Sequence, residues 1–251
     1  MLTISGNVVD VDTVIHDIGN DEIKLKIINI MNKSSYNYRF SSAQELYFIL
    51  DMRKNIINAS KKLFRSRLRF KTFKNSECNE YYWRRTPEGG FLLKSNVQPS
   101  KAINDIYNNG WLYGTECATA IVIVYYKAVL DTFGSERFNR IFTDIYLMDW
   151  QNLSGKLRVS TNRKPPDIFP GDCRYFKNPD VDPLTPEWQG ENAIDLGNNY
   201  YYGHGVGITT AENIIYALNN HRKPGSNVSA HLLESSTNPD YRSLYKLYNN
   251  Y

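Results

Sequence analysis

Cys117 stands in a setting that suits a nucleophile. It begins an apolar run that continues to Tyr126. Gly114 and Thr115 before it suit an N-cap, and Glu116 suits the first turn of a helix. A thiol at a helix N-terminus has a lowered pKa because of the helix dipole and the unsatisfied N–H groups, which favour the thiolate. Buried cysteines are nevertheless common, so position alone leaves Cys117 either a nucleophile or a small core residue.

A thiolate nucleophile needs a group that carries protons, and His204 is the histidine with the clearest context. It lies between Gly203 and Gly205 in a run, Tyr200–Ile208, that is typical of a strand. Because its neighbours have no side chains, other groups can approach the imidazole closely. A lone histidine in a strand is also commonly a structural residue with its hydrogen bonds satisfied.

Strand pairing brings a polar side chain beside His204. A three-residue turn at Gly197–Asn199 places Asn192 opposite His204, whereas a two-residue turn places Glu191 there. The residues alone leave both registers open. Either partner would orient the imidazole of a cysteine–histidine site, although an ordinary cross-strand contact explains the same pairing.

A buried helix and an antiparallel sheet must position these side chains. We expect the helix from Cys117 to extend to about Thr132, because its length and its alanines favour a helix over a strand. A closing helix is predicted from Thr209, in a capping box with Glu212, to about Asn220. The strand-like runs are Ile145–Trp150, Cys173–Phe176, Ala193–Leu196 and Tyr200–Ile208. Helices followed by an antiparallel sheet predict an α+β fold.

The N-terminal third contains a long helix and a strongly basic segment. Ser42 and Glu45 form a capping box at the start of an amphipathic pattern that reaches about Arg67. Nine Lys or Arg residues and no acidic residue occur between Arg53 and Lys74, which we call the basic block. Its aromatic residues are not interleaved with the cations as stacking platforms would require, so we interpret it as a solvated helix face. A hairpin (Tyr81–Arg85 with Phe91–Lys94) and a short helix (Ser100–Asn108) are also predicted.

Composition excludes several classes of protein. The 251 residues are 41% hydrophobic, which is enough for a core, and no apolar run approaches the length of a membrane-spanning helix. Three cysteines without a C-x-x-C pair fit neither a disulfide framework nor a zinc site. We expect no metal, no cofactor and no secretory signal. A net charge of +4 is small for a dedicated nucleic-acid-binding protein.

Several motifs together resemble the spore-coat protein-glutamine γ-glutamyltransferases (transglutaminases) of spore-forming bacilli. The motifs are Thr115–Val122, Met148–Trp150, Gly171–Cys173, Tyr175–Pro179, Trp188–Asn192 and Gly203–Gly205. The similarity extends from about Tyr38 to Leu233. It implies a papain-like cysteine hydrolase core, related to cell-wall peptidases, in about residues 96–251. Residues 1–95 would be an N-terminal, largely helical addition within the same domain.

The resemblance also implies roles for individual residues. The catalytic residues would be Cys117 as nucleophile, Glu191 as its principal acidic partner, His204 as a further active-site residue and Glu116 as an alternative to Glu191. It thereby favours Glu191 over Asn192 beside the nucleophile. Trp150 and Trp188, which lie in matching motifs, are candidates for an apolar wall that shelters the acyl-enzyme from water. Asn192 is a further candidate for substrate binding.

The implied reaction is a calcium-independent acyl transfer between spore-coat proteins. The thiolate attacks a protein glutamine, ammonia leaves, and a lysine amine resolves the thioester into an ε-(γ-glutamyl)lysine cross-link. Such an enzyme would be made in the mother-cell cytoplasm without a signal peptide and assembled into the coat. Two alternatives stay open: a cell-wall peptide hydrolase with the same cysteine chemistry, and a basic structural coat or nucleic-acid-binding protein that relies on the basic block.

Overall fold

The computed structural model describes residues 1–149 and 153–250. Its α-helices are α1 (Val11–Ile18), α2 (Glu22–Lys33), α3 (Ala43–Arg65), α4 (Pro99–Asn108), α5 (Cys117–Phe133), α6 (Ser135–Ile141), α7 (Ala211–Asn219) and α8 (Tyr241–Asn249). Its strands are β1 (Leu2–Ile4), β2 (Asn7–Val8), β3 (Tyr38–Phe40), β4 (Arg69–Phe70), β5 (Trp83–Arg85), β6 (Phe91–Leu93), β7 (Gly114–Thr115), β8 (Tyr146–Leu147), β9 (Ser160–Asn162), β10 (Cys173–Lys177), β11 (Gly190–Gly197), β12 (Tyr200–Gly203), β13 (Gly207–Thr210), β14 (His231–Leu232) and β15 (Ser236–Asn238). The predicted α+β class is confirmed.

Helix α5 lies at the centre of the hydrophobic core. Every side chain from Ala118 to Leu130 is buried, because α3 packs along one side and β11 lies against another. Burial on all sides explains why a segment rich in β-branched residues is helical, as predicted. The helix ends where Gly134 adopts a φ of 77° and its N–H donates to the Leu130 carbonyl over 3.0 Å.

Helix α3 begins at the predicted cap. The Ser42 hydroxyl accepts from the Glu45 N–H at 3.1 Å, and the Glu45 carboxylate accepts from the N–H of Ser41, one residue earlier than in a standard capping box. The helix ends at Arg65, so the basic block extends past it.

The interpretation of the basic block as a solvated face is wrong for several of its members. Arg53 is buried, and its guanidinium lies 2.7 Å from the Asp172 carboxylate between the rings of Phe169 and Tyr241. Four other cations of the block form ion pairs: Lys54 with Asp21, Lys62 with Asp131, and Arg69 and Lys71 with Glu77. Acidic groups from distant parts of the chain therefore neutralise a segment that has none of its own.

The largest sheet has seven strands in the order β13-β12-β11-β10-β15-β9, with β14 also paired to β10. Its strand pairs are antiparallel. The smaller sheets are β2-β1-β3, β4-β7 and β5-β6-β8. The last of these contains the predicted hairpin, with Trp83 opposite Leu93.

The turn between β11 and β12 combines features of both predicted registers. Asn198 and Asn199 form a two-residue turn with φ of 55° and 61°, and Gly197 pairs with Tyr200. A bulge then shifts the pairing, so that Ala193 lies opposite Gly203. This is the register predicted from a three-residue turn, and it arises from a bulge that neither prediction included.

Two further predictions are wrong in detail. The run Tyr200–Ile208 is not one strand, because β12 ends at Gly203 and residues 204–206 form a turn before β13. His204 is therefore in a hairpin turn. The capping box of Thr209 with Glu212 is also absent: Thr210 occupies the cap position, and the Glu212 carboxylate instead accepts from the Asn199 side chain.

Residues on both sides of position 95 contribute to one hydrophobic core, in which α3 packs on α5. The division into an addition of residues 1–95 and a core of 96–251 stays a prediction. Within the described ranges, no helix has both the length and the apolar character needed to cross a bilayer.

The Arg53–Asp172 pair gives a stability prediction. Arg53→Ala leaves the Asp172 carboxylate, whose side chain is 1% exposed, buried without its cation. We expect the free energy of unfolding to fall by about 3–5 kcal/mol, measured by urea denaturation. Arg65→Ala, at the exposed end of the same helix, should change it by less than about 0.5 kcal/mol. Equal stability of the two variants would contradict the assignment.

Candidate active site

Glu116 provides the N-cap of α5. Its carboxylate accepts from the N–H groups of Ala118 at 2.6 Å and Thr119 at 2.7 Å. Gly114 and Thr115, which the sequence predicted as the cap, instead form β7 and pair with β4. The helix therefore begins at Cys117 because a carboxylate binds the free N–H groups of its first turn.

The Cys117 thiol contacts Asn192 on the neighbouring strand β11. The Asn192 side-chain amide donates to the sulfur over 3.5 Å. Burial raises the pKa of the Cys117 thiol well above its usual range, and the charges of Glu191 and Glu116 act in the same direction, whereas hydrogen bonds from Asn192 oppose them. The expected lowering of this pKa is thus wrong, because desolvation and neighbouring acids outweigh the helix dipole.

Glu191 is the acidic group buried beside the thiol. Glu191 is 3% exposed. Burial and the charge of Glu116 raise the pKa of its carboxyl to about 8. Backbone N–H groups of Gly205 and His204 partly offset this by binding the carboxylate, the former at 3.2 Å. Glu191 is therefore largely protonated at neutral pH, unlike an exposed carboxylate.

The glycines on either side of His204 provide space for Glu191. A β-carbon at Gly203 would lie 2.8 Å from both Cγ and Oε1 of Glu191, and one at Gly205 would lie 3.1 Å from its Oε2. The sequence predicted that these glycines admit a group close to the imidazole. The structure shows that they admit the Glu191 carboxyl.

Both ring nitrogens of His204 have partners. Nε2 lies 3.1 Å from the Arg69 carbonyl oxygen, and Nδ1 lies 3.2 Å from the Tyr202 hydroxyl. A carbonyl only accepts, so Nε2 carries the proton and Nδ1 accepts from Tyr202. Burial lowers the pKa of His204 to about 4, which keeps the ring neutral. The imidazole thus fixes the turn whose N–H groups bind Glu191.

Cys117 and Asn192 open into a cavity of about 490 Å³. Its described aromatic lining residues are Phe70, Phe73 and Tyr175, none of which was a predicted site residue. The sequence contained one indication of a role for Tyr175, because this residue lies in a motif of the resemblance. In the structure it pairs with Asn192 across the sheet. No feature of the sequence indicated that Phe70 or Phe73 would line this cavity.

The two predicted tryptophans have different outcomes. Trp188 stacks on His221, with ring centroids 4.0 Å apart, and lies next to Phe70 at 6.4 Å rather than in the cavity lining. Trp150 lies outside the described residues.

A second cavity, of about 600 Å³, also contacts Asn192 and Tyr175. Its other lining residues are Thr161, Arg163, Leu233, Glu234, Ser235 and Thr237. We call it the β9 cavity, because Thr161 belongs to that strand. Asn192 and Tyr175 are therefore shared by two cavities of different composition.

All three cysteines are free. Cys173 is buried in β10, and burial raises the pKa of its thiol. Burial likewise raises the pKa of Cys78, to about 11. Within residues 1–149 and 153–250, no group of three or more His, Cys, Asp or Glu side chains is arranged to hold a metal ion.

Known proteins share this sequence and fold. The profile of the family described as "Protein-glutamine gamma-glutamyltransferase" matches residues 1–248. Proteins of that name from Bacillus cereus (strain B4264) and Bacillus anthracis (strain CDC 684 / NRRL 3495) are 49% identical over 219 residues, covering 87% of this chain and 79% of each relative. A transglutaminase structure from Geobacillus stearothermophilus, without its C-terminal extension, is 48% identical, with a TM-score of 0.78, covering 82% of this chain and 98% of that one.

These matches define the class of protein as an acyltransferase. The chain belongs to the protein-glutamine γ-glutamyltransferase family, and it is a transglutaminase. The resemblance identified from its motifs is confirmed. The alternative of a non-enzymatic structural protein is wrong.

The space at Gly203 gives a prediction about the position of Glu191. Gly203→Ala places a methyl group against the buried carboxyl, and we expect kcat to fall by roughly 10–100-fold, since a displacement of about 1 Å at a reacting group has that effect. Amine incorporation into a glutamine peptide measures it. Gly155→Ala is the matched control, because a β-carbon there meets nothing within 4 Å. A Gly203→Ala protein as active as this control would refute the account.

Proposed function

We propose that this transglutaminase cross-links spore-coat proteins, with Cys117 as nucleophile and without calcium. The observation that supports the mechanism is a buried Glu191 carboxyl whose charge acts on the half-buried Cys117 thiol, at a cavity lined by aromatic side chains. The coat as destination rests on the resemblance of the sequence motifs to spore-coat enzymes. The substrates are proteins that present glutamine and lysine side chains.

The first stage forms a thioester. The ionised Glu191 accepts the thiol proton, and the sulfur attacks the carboxamide carbon of glutamine. The tetrahedral intermediate then breaks its carbon–nitrogen bond, and the Glu191 carboxylic acid protonates the leaving ammonia. The pKa of about 8 suits both steps, because such a group accepts and donates a proton near neutral pH.

The second stage transfers the acyl group to lysine. The lysine ammonium releases one proton to solvent, and the neutral amine attacks the thioester carbonyl and loses a second proton to Glu191. The carbon–sulfur bond then breaks, and Glu191 returns that proton to the sulfur to regenerate the thiol. Carboxyl groups of Glu116, Asp149 and Glu187 line the cavity, against one cation, Lys74. This balance favours the approach of a cationic lysine side chain. Phe70, Phe73 and Tyr175 exclude water from the thioester.

Two N–H donors stabilise the negative oxygen of the intermediates. The first is the backbone N–H of Cys117, at the start of α5. The second is the Asn192 side-chain amide, which lies 3.5 Å from the sulfur in the resting site. This assignment makes Asn192 a residue that contacts substrate.

Glu116 and His204 act through their neighbours. Both carboxylate oxygens of Glu116 bind N–H groups of α5, so its main role is to position Cys117; it replaces Glu191 only as a weaker base. His204 positions Glu191 through the turn at residues 204–206, because its ring nitrogens already have partners.

A papain-like core is part of the proposal. It is supported by a nucleophile at the N-terminus of a buried helix and by acidic and amide partners on the adjacent antiparallel strand, β11. Residues 96–251 would form this core, and residues 1–95 the N-terminal addition.

Removing the nucleophile tests the proposed function directly. Cys117→Ala should lose at least about 10³-fold in incorporation of a fluorescent primary amine into a glutamine-containing protein, since no other group replaces the thiolate. Cys78→Ala is the control, because that thiol lies outside the cavity lining. Undiminished labelling by the Cys117 variant would overturn the mechanism.

The raised pKa of Glu191 predicts a pH profile. Below about pH 8 the carboxyl is protonated and cannot accept the thiol proton, so kcat/KM for the glutamine donor should rise with pH up to about 8 and then level. Glu191→Gln should lower the activity and remove this rise. Asp195→Asn, which neutralises another carboxylate of β11, should keep the rise. An unchanged profile in Glu191→Gln would exclude Glu191 as the base.

A further inference from the structure

A further cavity of the described chain lies away from Cys117. It measures about 880 Å³ and lies where β3, α3, residues 158–160 and the start of α8 meet. Four arginines line it: Arg39, Arg53, Arg158 and Arg242. We call it the arginine cleft. The mechanism proposed above does not use it.

The four arginines differ in whether their guanidinium groups form ion pairs and hydrogen bonds with other residues. Arg53 is buried and paired with Asp172, although its Nε has no hydrogen-bond partner in the described chain. Arg242 donates to the Arg39 carbonyl and lies 3.4 Å from the Glu45 carboxylate.

Arg39 and Arg158 are exposed, and their guanidinium groups make no hydrogen bond or ion pair among residues 1–149 and 153–250. The acidic lining residue is Asp240. Burial opposes ionisation of its carboxyl, but hydrogen bonds from Ser243 lower its pKa, and the charge of Arg158 adds a smaller effect in the same direction. Asp240 is already the N-cap of α8. The cleft therefore keeps an excess of positive charge at its rim.

Aromatic rings form much of the remaining wall, namely Tyr36, Tyr38, Phe40, Phe169 and Tyr241. Aromatic surfaces beside guanidinium groups exclude water and so strengthen the attraction of those groups for an anion. Guanidinium groups bind carboxylates through two parallel hydrogen bonds. The ligand chemistry that fits is a set of carboxylate side chains.

Strand β9 connects the arginine cleft to the catalytic cysteine. Ser160 lines the cleft, and the next residue, Thr161, lines the β9 cavity. The β9 cavity reaches Asn192, whose amide contacts Cys117. Strand β9 is also the outermost strand of the sheet, and its three residues are all exposed.

We propose that the arginine cleft binds acidic side chains of the protein that supplies the glutamine. The segment lies along the free edge of the outer strand β9 in an extended form, with its glutamine in the β9 cavity and its carboxylates beside Arg39 and Arg158. An open sheet edge accepts an extended peptide through main-chain hydrogen bonds. This inference rests on the proposed function and adds a substrate class to it.

The geometry sets the spacing between the glutamine and the acidic residues. Arg158 precedes Thr161 by three residues, so the two residues are at most about 10 Å apart along the chain. Acidic residues about three to six positions from the glutamine should therefore reach the cleft. The arginine cleft should not increase the affinity of the enzyme for a glutamine in a neutral segment.

The test compares two synthetic glutamine peptides as donors for a fluorescent amine. One has glutamates three to six positions from the glutamine on both sides, and the other has serines there. We expect the wild-type enzyme to show a KM about tenfold lower for the acidic peptide, from two or more partly exposed ion pairs. A glutamine-free acidic peptide should inhibit labelling of the acidic donor at low salt.

Reversing the charge of two cleft arginines tests whether the preference for the acidic peptide arises in the cleft. Arg39→Glu/Arg158→Glu should abolish the preference and leave the KM and kcat for the serine peptide unchanged, and the milder Arg39→Gln/Arg158→Gln serves if the reversal impairs folding. Arg84→Glu/Lys101→Glu is the matched control, because it makes the same change in net charge at two exposed positions outside the cleft. It should keep the preference.

The outcomes separate this inference from the proposed function. Labelling of both peptides with equal KM, or equal loss of preference in cleft and control variants, overturns the arginine cleft as a substrate site while the enzyme remains a transglutaminase. Labelling of neither peptide by the wild type counts against the proposed donor chemistry itself.

Discussion

The coupling between the Cys117 thiol at the start of α5 and the buried Glu191 carboxyl of β11 is the constraint on which the site depends. A thiol and a carboxyl taken out of water cannot both ionise, because desolvation and mutual repulsion oppose the second charge. The pKa of Glu191 therefore rises to about 8 and that of Cys117 rises as well. The pair holds at most one negative charge near neutral pH. One mobile proton between sulfur and carboxyl is what acyl transfer needs, since each stage both removes and delivers a proton.

Keeping that pair together requires support from several elements. The carboxyl fits only because Gly203 and Gly205 have no β-carbons, and it is held by N–H groups of a turn fixed by His204. The carbonyl that His204 binds belongs to Arg69 in β4, which pairs with β7 just before α5. The helix, the turn and β4 thus form a closed set of contacts around Glu191. The ion pair between Arg53 and Asp172 extends this set of contacts, because it joins α3 to the residue that precedes β10.

Sequence reasoning succeeded where the determining interactions are local. The helix from Cys117 followed from a long apolar run, and the proximity of Glu191 to His204 followed from a short hairpin. It failed on the thiol pKa, because the helix dipole is a local effect whereas the opposing burial and the charge of Glu191 come from the tertiary fold. The role of His204 was also invisible, since Arg69 lies 135 residues earlier. Phe70 and Phe73 reach the cavity through the pairing of β4 with β7, which no pattern in either segment indicates.

The charges around the two cavities at Asn192 connect the site to the proposed reaction. One cavity has carboxyl groups of Glu116, Asp149 and Glu187 in its wall, whereas the β9 cavity has one cation, Arg163, and one carboxyl, Glu234, and adjoins the positively charged arginine cleft. A cationic lysine is attracted to the first and an acidic glutamine donor to the second. An enzyme that binds its donor covalently before its acceptor arrives must keep the two from competing for one entrance. An acidic wall in the cavity at Cys117 and a basic arginine cleft beside the β9 cavity meet that requirement without any movement of the fold, because like charges repel each substrate from the region that the other uses.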